Sequence, residues 1–108
     1  KAFKGKSNLN DHGDFCMETD WVVGEILKTL DKLDLANNTL IIFTADNGTS
    51  PQAGFSEMQK QGHFSSWKYR GLKGSLLEGG HRMPFLVRWP NEIKKGNSVR
   101  YKRDLESR

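Results

Sequence analysis

The sequence predicts an α/β fold, and three segments carry that prediction. Apolar residues recur at intervals of three and four over about residues 14–35, which predicts an amphipathic helix. Two short apolar runs, over about residues 39–45 and 84–89, are rich in β-branched and aromatic side chains and predict strands. We therefore expect a helix, a strand, a long loop and a second strand, within 108 residues that allow one domain at most.

The predicted helix has an apolar face that is typical of packing against a core. This face comprises Val22, Ile26, Leu30 and Leu33, with Val23 and Leu27 beside them. Asp11 or Asp14 is suited to cap the start of the helix, and Asn37 or Asn38 to adopt the left-handed conformation that ends it. Cys16, near the start, is expected to be a small buried side chain.

The first predicted strand, over about 39–45, is apolar on both faces. Such a run is typical of a buried central strand in a parallel sheet. The second strand begins after Pro84 and ends at Pro90, because proline does not fit the interior of a sheet. The loop between them, residues 46–82, is rich in Gly, Ser, His, Lys and Gln, and loops of this length are usually functional.

Composition excludes several classes of protein. A net charge of +4 is compatible with nucleic-acid binding, but many basic residues gather near the two ends, which favours solvated termini. A single Cys cannot form an intrachain disulfide. The longest apolar run, 40–43, is far shorter than a membrane span, which needs about 20 residues. The sequence starts at Lys1 without an initiator Met, so we expect it to be a piece of a longer protein, and no apolar signal-peptide region is visible in it.

Asp46, Asn47 and Gly48 follow the first predicted strand directly. In open α/β sheets, ligands gather at the carboxyl ends of strands. A carboxylate beside an amide oxygen suits Ca²⁺ or Mg²⁺, which prefer oxygen ligands. The alternative is a hairpin turn, because Asn-Gly after a strand is a strong turn signal. The spacing alone leaves both interpretations open.

A glycine-rich segment over residues 70–84 contains Lys73. Glycines let the backbone approach an anion closely, and the lysine supplies a mobile ammonium group. An ordinary surface lysine is the alternative. His63 and His81 are too far apart for typical zinc spacing, and for each an ordinary hydrogen-bonded or exposed histidine is favoured over a chemical role. Glu78 and Arg82 are four residues apart and are expected to form an ion pair.

Together these motifs resemble the sulfatase family. The resemblance covers about residues 3–91 and is carried by Thr39-Leu40-Ile41-Ile42-Phe43-Thr44-Ala45-Asp46-Asn47-Gly48, then by Arg70-Gly71-Leu72-Lys73-Gly74 and Leu77-Glu78-Gly79-Gly80-His81-Arg82-Met83-Pro84-Phe85. It implies an alkaline-phosphatase-like α/β sandwich with a mainly parallel central sheet. It also implies a sulfuric ester hydrolase that acts on aryl or carbohydrate sulfates, without nucleic acid or a membrane span.

The resemblance also implies roles for individual residues. Asp46 and Asn47 match the ligands of the active-site Ca²⁺, with Mg²⁺ the less favoured ion. Lys73 matches a lysine that contacts the substrate sulfate, and His63 matches a histidine near the pocket. The family nucleophile is a formylglycine made within a C-x-P-x-R motif, which Cys16-Met17-Glu18-Thr19 does not match. The nucleophile is therefore expected outside this sequence, and the segment alone is expected to be inactive.

Two alternatives to a sulfatase remain open at this stage. One is a phosphatase or phosphodiesterase of the same superfamily, although the Asp-Asn-Gly and Lys pattern favours sulfate. The other is a non-catalytic remnant or basic binding module, which the missing nucleophile and the net charge support. A charged tail over residues 92–108 completes the sequence.

Overall fold

The computed structural model describes residues 2–98 and has a mixed α/β architecture. In chain order, the helices and strands are α1 (Asp11–Lys32), β1 (Ile41–Thr44), α2 (Phe55–Lys60), α3 (Glu78–His81) and β2 (Phe85–Arg88). Short 3-10 turns follow α1 at Ala36–Asn38 and precede α2 at Pro51–Ala53. The segment predicted as one long loop therefore contains two helices. Part of the predicted charged tail, residues 99–108, lies outside the described residues.

Helix α1 begins three residues before the predicted start because Asn10 caps it. The Asn10 side-chain oxygen accepts a hydrogen bond from the Gly13 amide at 3.0 Å. The prediction of Asp11 or Asp14 as the cap is therefore wrong. Asp14 is instead a buried residue within the first turn, and its carboxylate accepts hydrogen bonds from the amides of Gly5 and Ser7.

The carboxyl end of α1 also differs from the prediction. The helix ends at Lys32, and the Leu33 amide donates to the carbonyl oxygen of Thr29 at 3.0 Å. Asp34 adopts the left-handed conformation, with φ 56°, instead of Asn37 or Asn38. Aspartate tolerates this conformation better than most residues, and the two asparagines lie in the following 3-10 turn.

The described residues contain one sheet, in which β1 and β2 pair antiparallel. Thr44 at the end of β1 lies opposite Phe85 at the start of β2. The prediction of a mainly parallel sheet is therefore wrong for residues 2–98, which form a two-stranded antiparallel sheet. A parallel return needs a crossover long enough to carry the chain back along the strand, usually a helix. The helix before β2, α3, has only four residues. The chain therefore re-enters the sheet at the same edge at which β1 ends, and β2 runs antiparallel to β1.

The strands are not buried within this part of the chain. Ile42 is 52% exposed and Phe85 is 67% exposed. The buried apolar residues of the described chain are Ala36, Ala53 and Met58. An apolar run indicates that both faces of a strand can be buried. Burial also requires other elements to pack on those faces, and residues 2–98 do not contain them. Cys16 is likewise exposed, which makes the prediction of a buried thiol wrong.

A cavity of about 590 Å³ separates α1 from the sheet. It is lined on the helix side by Phe15, Val23 and Leu27, among others, and on the sheet side by Ile41 and Phe43. The radius of gyration is 17.1 Å, compared with roughly 13 Å for a compact domain of this size. Helix and sheet are therefore loosely packed against each other. No helix within residues 2–98 has the length and apolar character to cross a membrane.

Candidate functional site

Asp46 and Lys73 lie beside each other at the end of β1. The Lys73 ammonium nitrogen is 3.9 Å from the Oδ2 atom of Asp46, and both side chains are more than half exposed. The Lys73 amide donates a hydrogen bond to the carbonyl oxygen of Thr49 at 2.8 Å, which fixes the lysine backbone on the segment that follows the aspartate. A carboxylate and an ammonium group therefore face one solvent-accessible position, although 27 residues separate them in sequence.

The segment after β1 does not form the hairpin that Asn47-Gly48 alone could indicate. The chain continues from β1 into the 3-10 turn Pro51–Ala53 and then into α2. Gly48 is buried, and its amide donates to the carbonyl oxygen of Gly80 at 2.9 Å. The strand that pairs with β1 is β2, which follows α3. The Asp-Asn-Gly triplet therefore carries the chain out of the sheet, and its glycine contacts α3.

Glycines hold the three loop segments of the site together. The Gly79 amide donates to the carbonyl oxygen of Arg70 at 2.7 Å. A Cβ atom at Gly48 would collide with the carbonyl oxygen of Gly79, and one at Gly79 would collide with that of Gly71. A Cβ atom at Gly80 would meet the carbonyl oxygen of Ser75 in the same way. Since main-chain atoms cannot move aside as a flexible side chain can, these positions require glycine.

The donor atoms at Asp46 and Asn47 fit part of a Ca²⁺ or Mg²⁺ site. The Asp46 carboxylate is 83% exposed, and the Asn47 amide nitrogen donates to the carbonyl oxygen of Gly48 at 2.7 Å. That bond uses the amide nitrogen of Asn47 and leaves its side-chain oxygen as an acceptor. Carboxylate and amide oxygens are suitable ligands, but Ca²⁺ takes six to eight of them. Within residues 2–98, no cluster of three His, Cys, Asp or Glu residues supplies a fuller set.

The other predicted candidate is His63. It is exposed just after α2, and its amide donates to the carbonyl oxygen of Met58 at 2.9 Å. Among the described residues, no hydrogen bond or ion pair joins its side chain to Asp46, Asn47 or Lys73. The geometry therefore brings Asp46 and Lys73 together, with Asn47 next to Asp46 in the sequence, and the role of His63 stays a prediction.

The predicted ion pair between Glu78 and Arg82 is confirmed. The Arg82 guanidinium donates to the Glu78 carboxylate at 2.8 Å, and this hydrogen bond raises the pKa of Arg82. The guanidinium carbon also lies 4.4 Å from the centre of the Tyr69 ring. Arg82 therefore connects α3 to the segment that precedes Lys73.

Sequence reasoning did not identify the main-chain partners of the site. Thr49 fixes the backbone of Lys73, and Gly79 packs against both Gly48 and Gly71. The adjacent pair Gly79-Gly80 was the available signal, because two glycines in a helical turn are costly unless another backbone approaches. The conformation of Trp67 was not predicted either, because its φ of 48° is unusual for a bulky residue and carries no sequence signature.

Comparisons with known proteins identify the family of the chain. A family model described as Sulfatase matches residues 1–106. The match extends beyond residue 91, where the resemblance was expected to end. The chain is 45% identical to an N-acetylgalactosamine-6-O-sulfatase of Bacteroides thetaiotaomicron over 95 residues, which are 85% of this chain and 19% of the relative. It is 43% identical to human steryl-sulfatase over 99 residues, which are 92% of this chain and 17% of that relative.

A solved structure also matches, with a TM-score of 0.75 and 44% identity. It covers 86% of this chain and 20% of the matched one, and its description concerns the metabolism of multiple glycosaminoglycans by Bacteroides thetaiotaomicron. These likenesses support the alkaline-phosphatase-like fold. The chain spans about a fifth of the length of the relatives it matches. Because the family model covers nearly all of it, the chain belongs to the sulfatase family.

Proposed function

We propose that this chain supplies the sulfate-contacting lysine and two Ca²⁺ ligands of an enzyme that hydrolyses sulfate monoesters. The observation that carries the proposal is the pairing of Lys73 with Asp46, 3.9 Å apart at the end of β1. The relatives support the reaction class, since they are named as sulfatases. The nucleophile, a formylglycine, belongs to a part of the enzyme outside residues 1–108.

Lys73 is the residue of this chain that binds the sulfate group. Its ammonium group is half exposed, so it can exchange its distant contact with Asp46 for the oxygens of an incoming sulfate. The hydrogen bond from its own amide to Thr49 holds the start of the side chain in place during this exchange. A positive charge that is already positioned stabilises the negative charge that develops on the sulfate oxygens.

Asp46 and Asn47 would hold the metal ion through their side-chain oxygens. When bound, Ca²⁺ supplies positive charge that polarises the sulfate group. The exposed carboxylate of Asp46 is accessible to both the ion and Lys73, so the aspartate orients the lysine as well as providing a ligand. The backbone bond from Gly48 to Gly80 fixes the position of both ligands relative to α3.

The test is Lys73→Met in the full-length enzyme that contains this chain. Removing one positioned contact to the developing charge is expected to lower kcat/KM for 4-nitrophenyl sulfate by about 10²–10³-fold. Lys73→Arg is expected to show a similar loss of kcat/KM, because a planar guanidinium replaces a compact ammonium group. Circular dichroism would check that each variant retains the wild-type fold.

Lys94→Met is the matched control, since Lys94 is exposed and lies beyond β2. It is expected to change kcat/KM less than about twofold, as ordinary surface substitutions do. Equal and small effects at positions 73 and 94 would contradict a sulfate-binding role for Lys73. An enzyme that cleaves 4-nitrophenyl phosphate but no sulfate ester would support the phosphatase alternative instead.

A further inference from the structure

We propose that Trp67, Lys68 and Tyr69 form a binding platform for a sugar ring of an anionic glycan, next to the sulfate-binding lysine. This inference rests on the proposed sulfatase function, for which carbohydrate sulfates are already an expected substrate class, and adds a recognition element to it. The platform residues are defined as Trp67, Lys68 and Tyr69, and their neighbour Arg82 supports them from α3.

The platform combines exposed aromatic surface with a cation. Trp67 is 69% exposed, and its ring lies 5.9 Å from that of Tyr69 at an interplanar angle of 71°. The Lys68 ammonium nitrogen is 4.5 Å from the centre of the Trp67 ring. An exposed indole offers a flat apolar surface for the C–H face of a sugar ring, and the ammonium group that lies over the indole can pair with an anionic substituent.

The backbone holds Trp67 outward at a conformational cost. Its φ of 48° lies in the left-handed region, which bulky residues rarely occupy. Two consecutive turns stabilise this conformation, because the Trp67 amide donates to Phe64 at 2.7 Å and the Tyr69 amide donates to Ser66 at 3.0 Å. Ser66 between them is buried, which anchors the turns. Strained residues that the surrounding structure enforces are concentrated at functional sites.

The platform is connected to the proposed sulfate site through α3. Arg82 stacks on Tyr69 at 4.4 Å and pairs with Glu78 on the first turn of α3. The same helix packs its glycines against Gly48, next to the predicted metal ligands. Six residues separate Trp67 from Lys73, so their Cα atoms are at most roughly 20 Å apart. An oligosaccharide can therefore contact the platform while its sulfate group lies at Lys73.

The charge of this region favours a polyanionic ligand. Residues 60–82 contain five basic side chains against one acidic side chain, a net charge of +4 that equals the net charge of the whole chain. The basic residues are Lys60, Lys68, Arg70, Lys73 and Arg82. A sterol sulfate carries one charge and an apolar body, and it would gain little from this excess. A sulfated glycan carries an anion on most of its sugars and complements the segment along its length.

The experiment compares two ligands on the full-length enzyme. The first measurement is the Kd for a tetrasaccharide that contains 6-O-sulfated N-acetylgalactosamine, obtained by calorimetry; the second is kcat/KM for 4-nitrophenyl sulfate. Trp67→Asn removes the ring and keeps a residue that tolerates positive φ. It is expected to weaken tetrasaccharide binding about tenfold and to change aryl-sulfate turnover less than about twofold. Trp67→Phe, which keeps an aromatic ring, is expected to bind within about threefold of wild type.

Leu76→Ala is the matched control, because Leu76 is a 94% exposed apolar side chain of the same loop region. It is expected to leave both measurements unchanged. Unchanged tetrasaccharide binding in Trp67→Asn would overturn the platform, and so would an equal fall in both measurements, which indicates a structural role. If the wild-type enzyme cleaves 4-nitrophenyl sulfate but does not bind the tetrasaccharide, the glycan assignment is overturned. If the wild-type enzyme cleaves no sulfate ester, the proposed function fails, while the Kd comparison still tests the platform.

Discussion

The loops around Asp46 are joined by main-chain atoms, whereas the start of α1 is fixed by side chains. At the site, the amides of Gly48 and Gly79 donate to backbone carbonyls on other segments. At the start of α1, Asn10 donates to the carbonyl oxygen of Ala53 at 2.9 Å, and Asp14 accepts from two amides of the preceding loop. Both regions join segments that are distant in sequence, but through different chemistry.

The difference predicts how each region tolerates change. Backbone packing between glycines has no titratable group, so we expect it to be independent of pH and intolerant of any added side chain. Side-chain capping depends on one functional group, so a conservative replacement weakens it without a collision, and protonation can remove it. The site therefore has a base of packed main-chain atoms next to two exposed charged groups, Asp46 and Lys73.

Among the substitutions that test this difference, Gly79→Ala has the largest expected effect. The added methyl group would collide with the carbonyl oxygens of Arg70 and Gly71, so the segment that carries Lys73 must shift. A displacement of about 1 Å can lower activity about 100-fold, and we expect a loss of that order in kcat/KM for an aryl sulfate. Unfolding followed by circular dichroism would separate this local shift from loss of the whole fold.

Gly24→Ala is the matched control for that substitution. Gly24 lies within α1 and has no atom within 4 Å of an added Cβ, so alanine is expected to stabilise the helix by about 1 kcal/mol or less. Activity should be unchanged. Wild-type activity in Gly79→Ala would contradict the view that main-chain packing positions the lysine.

A smaller effect is expected from Asp46→Ala, which removes one proposed ligand without disturbing the glycine packing. Affinity for Ca²⁺, measured by calorimetry on the full-length enzyme after chelation, is expected to fall at least about tenfold. The exposed aspartate Asp20 on α1 provides the control, and Asp20→Ala should retain wild-type affinity. Unchanged affinity in Asp46→Ala would mean that the residue serves only to orient Lys73.

Sequence patterns predicted the elements better than their arrangement. Periodicity located α1 and the two strands, because the spacing of apolar side chains is a local property. The direction of β2 could not be predicted, since it depends on the length of α3 and on where the chain emerges from it. The apolar run at 39–45 indicated burial on two faces, yet Ile42 is exposed because no layer within residues 2–98 covers it.

The site shows the same division between local and distant information. The motifs identified Asp46, Asn47 and Lys73, and the structure brings the first and last of these to 3.9 Å. The bond from Lys73 to Thr49 and the contact between Gly48 and Gly79 join residues 24 and 31 positions apart, so no local pattern contains them. Metal and sulfate binding by these residues stay predictions that the variants above test.

The smallest expected effect is the pH-dependent one at Asp14, where side-chain chemistry alone holds the loop. Hydrogen bonds from Ser7, and then from Gly5, lower the pKa of Asp14 below its ordinary value of about 3.9. A carboxyl group with a lowered pKa binds fewer protons in the folded state, so its stabilisation is complete above pH 3.9 and is lost as the pH falls through the lowered pKa. Asp14→Asn is therefore expected to lower Tm at pH 7, and the difference from wild type should shrink as the pH falls below about 3.9.

Asp11→Asn is the control, because it removes a carboxylate from the same turn that makes no hydrogen bond to the loop. It should show a smaller Tm difference from wild type at pH 7. A Tm difference for Asp14→Asn that is constant from pH 7 to pH 3 would show that the side chain acts through its shape and not through its charge.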